Sequence, residues 1–356
     1  MVRKAALVAL ALVAVVLVWA AYSAARHYVF WSPSEAVVFQ SGNVQLAGTL
    51  VRPAAEGVFP GVVMLHGAGP DTRSGPAYRA HAKELVRRGF AVLLYDKRGS
   101  GESGGDFESA AYRDFIDDAR AAVRYLAGRD DVDRDRIGLL GASESGWFTP
   151  EIAATSEGVA FVINKVGPPL PWVDTVLFEV RNDLLAEGAA EGDVDALVEL
   201  TRRIWQHVRA VAADPALADG AERVALEAAI AELPDRLRAT SPLFRDGLPP
   251  YEPEAYARFA ESAAYDPTPW LERLDIPMLY VFGELDINVP TAASAAYLDR
   301  LRADQGKDVT VLVLPDVGHA LYTWRGLFGA GYPPGYLDFL GSWAAERGGA
   351  TRAPGS

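Results

Sequence analysis

The chain has 356 residues, half of them hydrophobic, and no cysteine. That is enough material for one large α/β domain with an insertion, and it rules out a disulfide framework or a thiolate metal site. The formal net charge of -13 argues against nucleic acid or another polyanion as partner, since these need a positive surface, and leaves neutral or cationic substrates open.

Arg3 and Lys4 precede an uncharged, mostly apolar run over 5–25. A helix of that length covers about 30 Å, the hydrocarbon thickness of a bilayer. The positive charges place its start in the cytoplasm, and Trp19, Tyr22, Tyr28, Phe30 and Trp31 suit an aromatic belt at the outer interface. Residues 1–33 are therefore expected to form a transmembrane anchor or a signal segment. If retained, it tethers an extracytoplasmic body to the membrane. If cleaved after the small residues Ser23, Ala24 and Ala25, it releases a secreted or periplasmic one.

Beyond it, 36–40 and 44–52 flank Ser41-Gly42-Asn43 and predict an antiparallel hairpin. Compact runs rich in β-branched and aliphatic residues follow at 61–65, 90–95, 137–140, 161–166, 278–282 and 309–314. Helical windows lie between most of them, at 78–88, 112–127, 147–154 and 291–303. This alternation predicts an α/β fold, a mostly parallel sheet with flanking helices. One connection breaks the rhythm: about 110 residues separate Val166 from Met278, where such loops usually take about 2–6. The segment is rich in alanine and acidic residues, and Leu197, Leu200, Ile204, Val208 and Val211 form an apolar helical stripe. It is expected to be an inserted helical cap over the sheet's carboxyl edge, where ligands bind in open α/β folds. The expected organisation is a core of 34–167 and 266–347, a cap of 168–265 and a disordered tail of 348–356.

The stretch that matches G-x-S-x-G to the letter is Gly101-Glu102-Ser103-Gly104-Gly105, but it lies in turn chemistry with no strand running into the serine. Ser143, in Gly141-Ala142-Ser143-Glu144-Ser145-Gly146, has the context a nucleophile needs. An apolar strand leads to it, Gly141 keeps the approach uncrowded, and a helix follows. Ser145 stands where the pattern has glycine and is expected to crowd the turn.

A serine needs a base to take its proton and a third group to hold that base. Of the five histidines, His27 adjoins the apolar N-terminal run, His81 sits within a helix and His207 lies on the cap. His66 ends a strand in His66-Gly67-Ala68-Gly69-Pro70, a loop suited to cradling an anion. That leaves His319, in the glycine-bearing loop Pro315-Asp316-Val317-Gly318-His319 after the last strand. The best-placed carboxylate is Asp286, just past the preceding strand in Gly283-Glu284-Leu285-Asp286, with Glu284 and Asp316 as competitors. Two backbone N–H groups, of Glu144 and Ala68, are expected to receive the oxyanion of a tetrahedral intermediate.

Together these segments, with Tyr95-Asp96-Lys97-Arg98-Gly99, resemble the successive signatures of α/β-hydrolase serine enzymes. The resemblance is nearest to bacterial carboxylesterases and serine aminopeptidase-like members, whose serine motif reads glycine, any residue, serine, glutamate or glutamine, glycine, glycine. It covers roughly 37–346, interrupted by the insertion. It implies the α/β-hydrolase fold and acyl transfer to water without cofactor or metal. Ser143, Asp286 and His319 would take the three catalytic roles, supported by the motif residues His66, Gly67, Gly69, Gly141 and Gly146. The expected function is hydrolysis of carboxylic esters with small or medium acyl groups. A peptidase or aminopeptidase is the alternative within enzymes; selecting free amino termini needs a cap carboxylate, for which Glu179, Asp183 and Glu187 are available. From another class, the chain would be a catalytically inactive scaffold binding a ligand or partner at the membrane. The expected ligand is a small-molecule ester or amide; oligomeric state is not legible.

Overall fold

The hairpin near the start is formed by β1 (Ser34–Ser41) and β2 (Val44–Val51), paired antiparallel with Ser41 opposite Val44. This comes from a computed structural model that describes residues 32–323 except 240 and 249, residues 331–350, and residues 14 and 18. The predicted membrane or signal segment lies almost wholly outside the described residues. Among the described residues, no helix is long and apolar enough to cross a membrane.

β2 pairs antiparallel with β4 (Ala91–Tyr95), and all later pairings are parallel. With β3 (Phe59–Met64), β5 (Val132–Ala142), β6 (Val159–Lys165), β7 (Met278–Gly283) and β8 (Val309–Leu314), the sheet order is β1-β2-β4-β3-β5-β6-β7-β8. β3, β4, β7 and the apolar run of β5 are buried at nearly every position because both faces are covered. On one face, α2 (Tyr112–Ala127), α3 (Ser145–Thr155) and α11 (Thr291–Gln305) bury Ile116, Leu126, Phe148, Ile152 and Leu298 against the sheet. On the other, α1 (Pro76–Arg87) and α12 (Tyr336–Gly348) bury Leu85, Val86, Leu340 and Trp343.

Two elements differ from the sequence reading. β5 starts at Val132, before its apolar run, and carries Asp133, Arg134, Asp135 and Arg136. Phe59 and Pro60 pair with Val132 and Asp133, whereas Gly61 pairs with Ile137, so a bulge absorbs the charged residues. The second is α12, which no sequence window marked. Its buried stripe of Tyr336, Leu340, Trp343 and Ala344 has helical spacing, and Gly348 belongs to its last turn. Gly349 caps it at φ 62°, and its carbonyl accepts from Arg136 Nη1 at 2.8 Å. Order thus extends past Gly348, where a disordered tail was expected; 351–356 lie outside the described residues.

Between β6 and β7 run α4 (Trp172–Ala186), α5 (Glu191–Ala213), α6 (Ala221–Ala231), α7 (Asp235–Arg238), α8 (Pro242–Arg245), α9 (Pro253–Ala264) and α10 (Thr268–Leu271). They pack partly on one another, with Leu184, Val194, Leu197, Ile204, Leu226 and Ile230 in a cluster of their own. α4 lies against the carboxyl edge of the sheet. Trp172 Nε1 donates to Tyr112 Oη at 2.9 Å, and Asn182 Nδ2 donates to the Ile287 carbonyl at 2.8 Å.

Candidate active site

β5 ends in a turn so tight that Ser143 adopts φ 50°, a left-handed conformation that a non-glycine residue holds only when its surroundings impose it. The surroundings do. Ser143 N–H donates to the Lys165 carbonyl at 2.9 Å, and its own carbonyl accepts from Gly146 N–H at 2.8 Å. A Cβ on Gly146 would lie 2.3 Å from Gly167 Cα, so glycine is what allows α3 to start against the end of β6. Ser145, expected to crowd this turn, instead points into it. Its Oγ accepts from Ala142 N–H at 2.7 Å and donates to the Ala142 carbonyl at 3.1 Å, so a buried hydroxyl with both bonds made bridges the elbow.

The loop after β8 brings His319 to the same edge. Ser143 Oγ lies 2.9 Å from His319 Nε2, and His319 Nδ1 lies 2.9 Å from Asp286 Oδ2. With the ring proton on Nδ1 donated to Asp286, Nε2 is the acceptor for the serine hydroxyl. Asp286 Oδ1 accepts from Asn288 N–H at 2.9 Å and Val289 N–H at 3.0 Å, which fixes the buried carboxylate. The two loops are stitched by Leu285 N–H donating to the Val317 carbonyl at 2.9 Å. A Cβ on Gly283 would meet the Gly318 carbonyl oxygen at 2.5 Å, so glycine there permits the approach. The competing carboxylates lie elsewhere: Glu284 accepts from Asp316 N–H at 3.2 Å, and both residues are exposed.

Ser103 is fully engaged in another task. Its Oγ donates to the Asp96 carbonyl at 2.7 Å and accepts from Ala47 N–H at 2.9 Å, tying the loop after β4 to β2.

Gly67 packs against the elbow, where an added Cβ would lie 3.5 Å from Ser143 Cβ. Its N–H donates to Tyr78 Oη at 3.1 Å, and that hydroxyl donates to Asp71 Oδ2 at 2.7 Å. Among the described residues, the N–H groups of Ala68 and Glu144 have no hydrogen-bond partner, and Ala68 is exposed. Gly69 follows at φ 82°, a conformation that favours glycine. His66, read as part of an anion cradle, is instead buried between the rings of Tyr78 and Tyr95, with centroids at 5.1 and 4.9 Å. Burial pushes its pKa down to about 4, so it packs as a neutral ring.

Sequence reasoning missed Lys97 as an individual side chain. Its Nζ donates to the Gly67 carbonyl at 2.9 Å and to Glu144 Oε2 at 2.7 Å, joining the loop after β3 to the elbow. Glu179 of α4 also reaches the site. It accepts from Asn288 Nδ2 at 2.5 Å, and burial raises its carboxyl above the usual range. Asp183 and Glu187 are exposed. A cavity of about 330 Å³ opens beside Ser143, lined by Asp71, Tyr78, His81, Lys165 and His319 among others. Among the described residues, no three His, Asp or Glu side chains converge as a metal site requires.

An eight-stranded, mostly parallel sheet with a serine on a strained strand-to-helix turn defines an α/β-hydrolase of the serine hydrolase class. Residues 41–320 match the X-Pro dipeptidyl-peptidase (S15) family, and the chain belongs to it. The esterase EstD of Thermotoga maritima is 28% identical over 291 residues, 79% of this chain and 59% of EstD. Dipeptidyl aminopeptidase BIII of Pseudoxanthomonas mexicana is 30% identical over 119 residues, 32% of this chain and 17% of that protein. The chain thus spans less than two thirds of the length of these curated relatives. Among solved structures, an esterase of Pyrococcus furiosus shares the fold with a TM-score of 0.54 at 17% identity, over 88% of this chain and 90% of that one.

Proposed function

We propose that the chain hydrolyses carboxylic esters through an acyl-enzyme on Ser143. His319 Nε2 takes the hydroxyl proton as Oγ attacks the carbonyl carbon, while Asp286 holds the imidazole and offsets its charge. The N–H groups of Glu144 and Ala68 receive the charge that develops on the carbonyl oxygen, each worth about 3 kcal/mol in the transition state. Collapse breaks the bond to the alcohol, which leaves with the proton from His319. Water then gives a proton to His319, attacks the acyl carbon and releases the acid, restoring the serine hydroxyl. The observation that carries this reading is the continuous Ser143–His319–Asp286 hydrogen-bonded chain, 2.9 Å at each link, behind a serine at φ 50°. A fluorophosphonate probe should label the folded protein, lose its target in Ser143→Ala and keep it in Ser103→Ala. Absence of labelling in folded wild type would favour an inactive scaffold.

A peptidase is the second reading, favoured by Glu179, a carboxylate beside His319 able to receive a free amino terminus. Comparing short-chain aryl esters with aminoacyl anilides separates the two, and under this reading Glu179→Gln lowers kcat/KM for the anilide more than for the ester. We further propose an extracytoplasmic location, supported by the apolar run over 5–25 behind Arg3 and Lys4. Fractionation of the full chain and of a chain lacking 1–33 tests whether that segment anchors it or is cleaved.

A further inference from the structure

Lys165 closes β6 immediately beside the nucleophile, its carbonyl accepting from Ser143 N–H at 2.9 Å. The residue lines the same cavity as Ser143 and His319 and is only 9% exposed, and its charge is felt by His81 across that cavity. Among the described residues, no hydrogen bond or ion pair reaches its ammonium. The groups around it are already committed. On α1, His81 donates through Nδ1 to the Ala77 carbonyl at 2.7 Å and accepts at Nε2 from Tyr336 Oη at 2.9 Å. Asp71 is taken by Thr72 N–H at 2.8 Å and Tyr78 Oη at 2.7 Å. Asp286, the charge Lys165 feels most, spends its oxygens on His319, Asn288 and Val289. Tyr322 completes the titratable lining. A cation set so far from bulk water, with only the cavity beside it to solvate it, is better stabilised by an anionic partner than without one, and a ligand carboxylate in the cavity would supply that partner.

We propose that Lys165 is a specificity residue that receives a carboxylate on the substrate, so that the preferred ester carries one negative charge on its acyl or its alcohol part. This rests on the hydrolase reading of Ser143. It also narrows what the acidic composition excludes, since a single carboxylate meeting a buried ammonium is a different ligand from a polyanion meeting the surface. Burial holds the Lys165 pKa down at about 8, so the ammonium form predominates at neutral pH and is lost as pH rises past that value.

Two matched pairs test the inference. Nitrophenyl hemiglutarate against nitrophenyl valerate probes a carboxylate on the acyl side, and meta-acetoxybenzoate against phenyl acetate probes the alcohol side. Wild type should favour the charged member of one pair by about 10- to 100-fold in kcat/KM, the worth of a charge-assisted bond. Lys165→Met, checked for folding by circular dichroism, should bring that ratio near unity. In wild type the ratio should fall above pH 8, where titration of shared catalytic groups cancels within a pair. Ratios that are the same in wild type and Lys165→Met for both pairs overturn the inference. Calorimetry of the hemiglutarate with Ser143→Ala and with Ser143→Ala/Lys165→Met reads binding without turnover. Weaker binding by about tenfold or more in the double variant supports the role of Lys165 even if wild type cleaves no ester, a result that would remove the hydrolase reading alone. Equal binding overturns the role.

Discussion

Replacing Lys97 by methionine tests how the elbow and the loop after β3 are held together. The Lys97 side chain is 5% exposed and that of Glu144 13%, with 2.7 Å between ammonium and carboxylate. The ammonium also holds the Gly67 carbonyl at 2.9 Å and sits 4.3 Å from the centre of the Phe115 ring. Methionine fills a similar volume but leaves the Glu144 carboxylate with no counter-charge, and stranding one member of a buried pair costs about 3–5 kcal/mol. Adding Glu144→Gln removes the stranded charge. The double variant should therefore be less destabilised than the two single variants summed, by about 2 kcal/mol within the range seen for contacting residues. Urea unfolding of the four proteins measures this. Activity should not follow stability back. Among the described residues Lys97 is the only partner of the Gly67 carbonyl, so under the proposed oxyanion role the neighbouring Ala68 N–H loses its aim. kcat for a neutral aryl ester should then stay about 10- to 100-fold down in the double variant, somewhat less than the full loss of an oxyanion donor. A Lys97→Met protein within about 1 kcal/mol of wild type, or strictly additive losses, would refute the account of a buried, mutually dependent pair.

Three other substitutions read separate parts of the site. Ser103→Ala removes a hydroxyl that bridges the Asp96 carbonyl and Ala47 N–H, and should cost about 1–3 kcal/mol in urea unfolding while the rate of fluorophosphonate labelling stays that of wild type. Gly146→Ala puts a methyl group 2.3 Å from Gly167 Cα, backbone that cannot swing aside; it should cost about 1–3 kcal/mol and slow labelling sharply as the elbow shifts. For Glu179, whose carboxyl burial raises above the usual range, the folded state binds its proton more tightly than the unfolded state does. Wild-type stability is therefore eroded as pH rises from the ordinary glutamate value, about 4.3, through the folded value. Glu179→Gln escapes that loss, so the stability difference in its favour should be near zero at low pH and grow toward neutrality. A difference that does not change with pH would show that the charge of Glu179 is not what its burial opposes.

The loops around Ser143, Asp286 and His319 could be found in the sequence because each carries a local signature that survives without neighbours. A strand-length apolar run is followed by glycine where there is no room for a Cβ, because of the Thr149 and Asn164 side chains at Gly141 and the Val317-Gly318 backbone at Gly283. The extent of β5 could not be read that way, because its charged first residues lie in a bulge whose partner, Phe59-Pro60, is some seventy residues away. Nor could α12, since Tyr336, Leu340 and Trp343 become a buried stripe only against the face that α1 and the sheet leave open.

Lys97 and Lys165 show what kind of signal was missed. Lysine in a sequence reads as surface, yet each of these follows a run of buried residues at the carboxyl end of a parallel strand, in Leu93-Leu94-Tyr95-Asp96-Lys97 and Phe161-Val162-Ile163-Asn164-Lys165. At that edge the chain has left the apolar core but has not reached solvent, because the loops and α4 cover it, so a long cationic side chain is held inside the cleft. β4 and β6 lie on opposite sides of the β3–β5 pair that carries the Gly67 loop and the elbow. The site is thus flanked by two buried ammonium groups. One is matched within the chain, by Glu144 beside Ser143. The other has no such match among the described residues, only the field of Asp286, whose oxygens are already hydrogen-bonded. Lys97 stands two residues past β4 and Lys165 ends β6, and the difference between them, one paired within the chain and the other not, is what points the unpaired one toward the substrate.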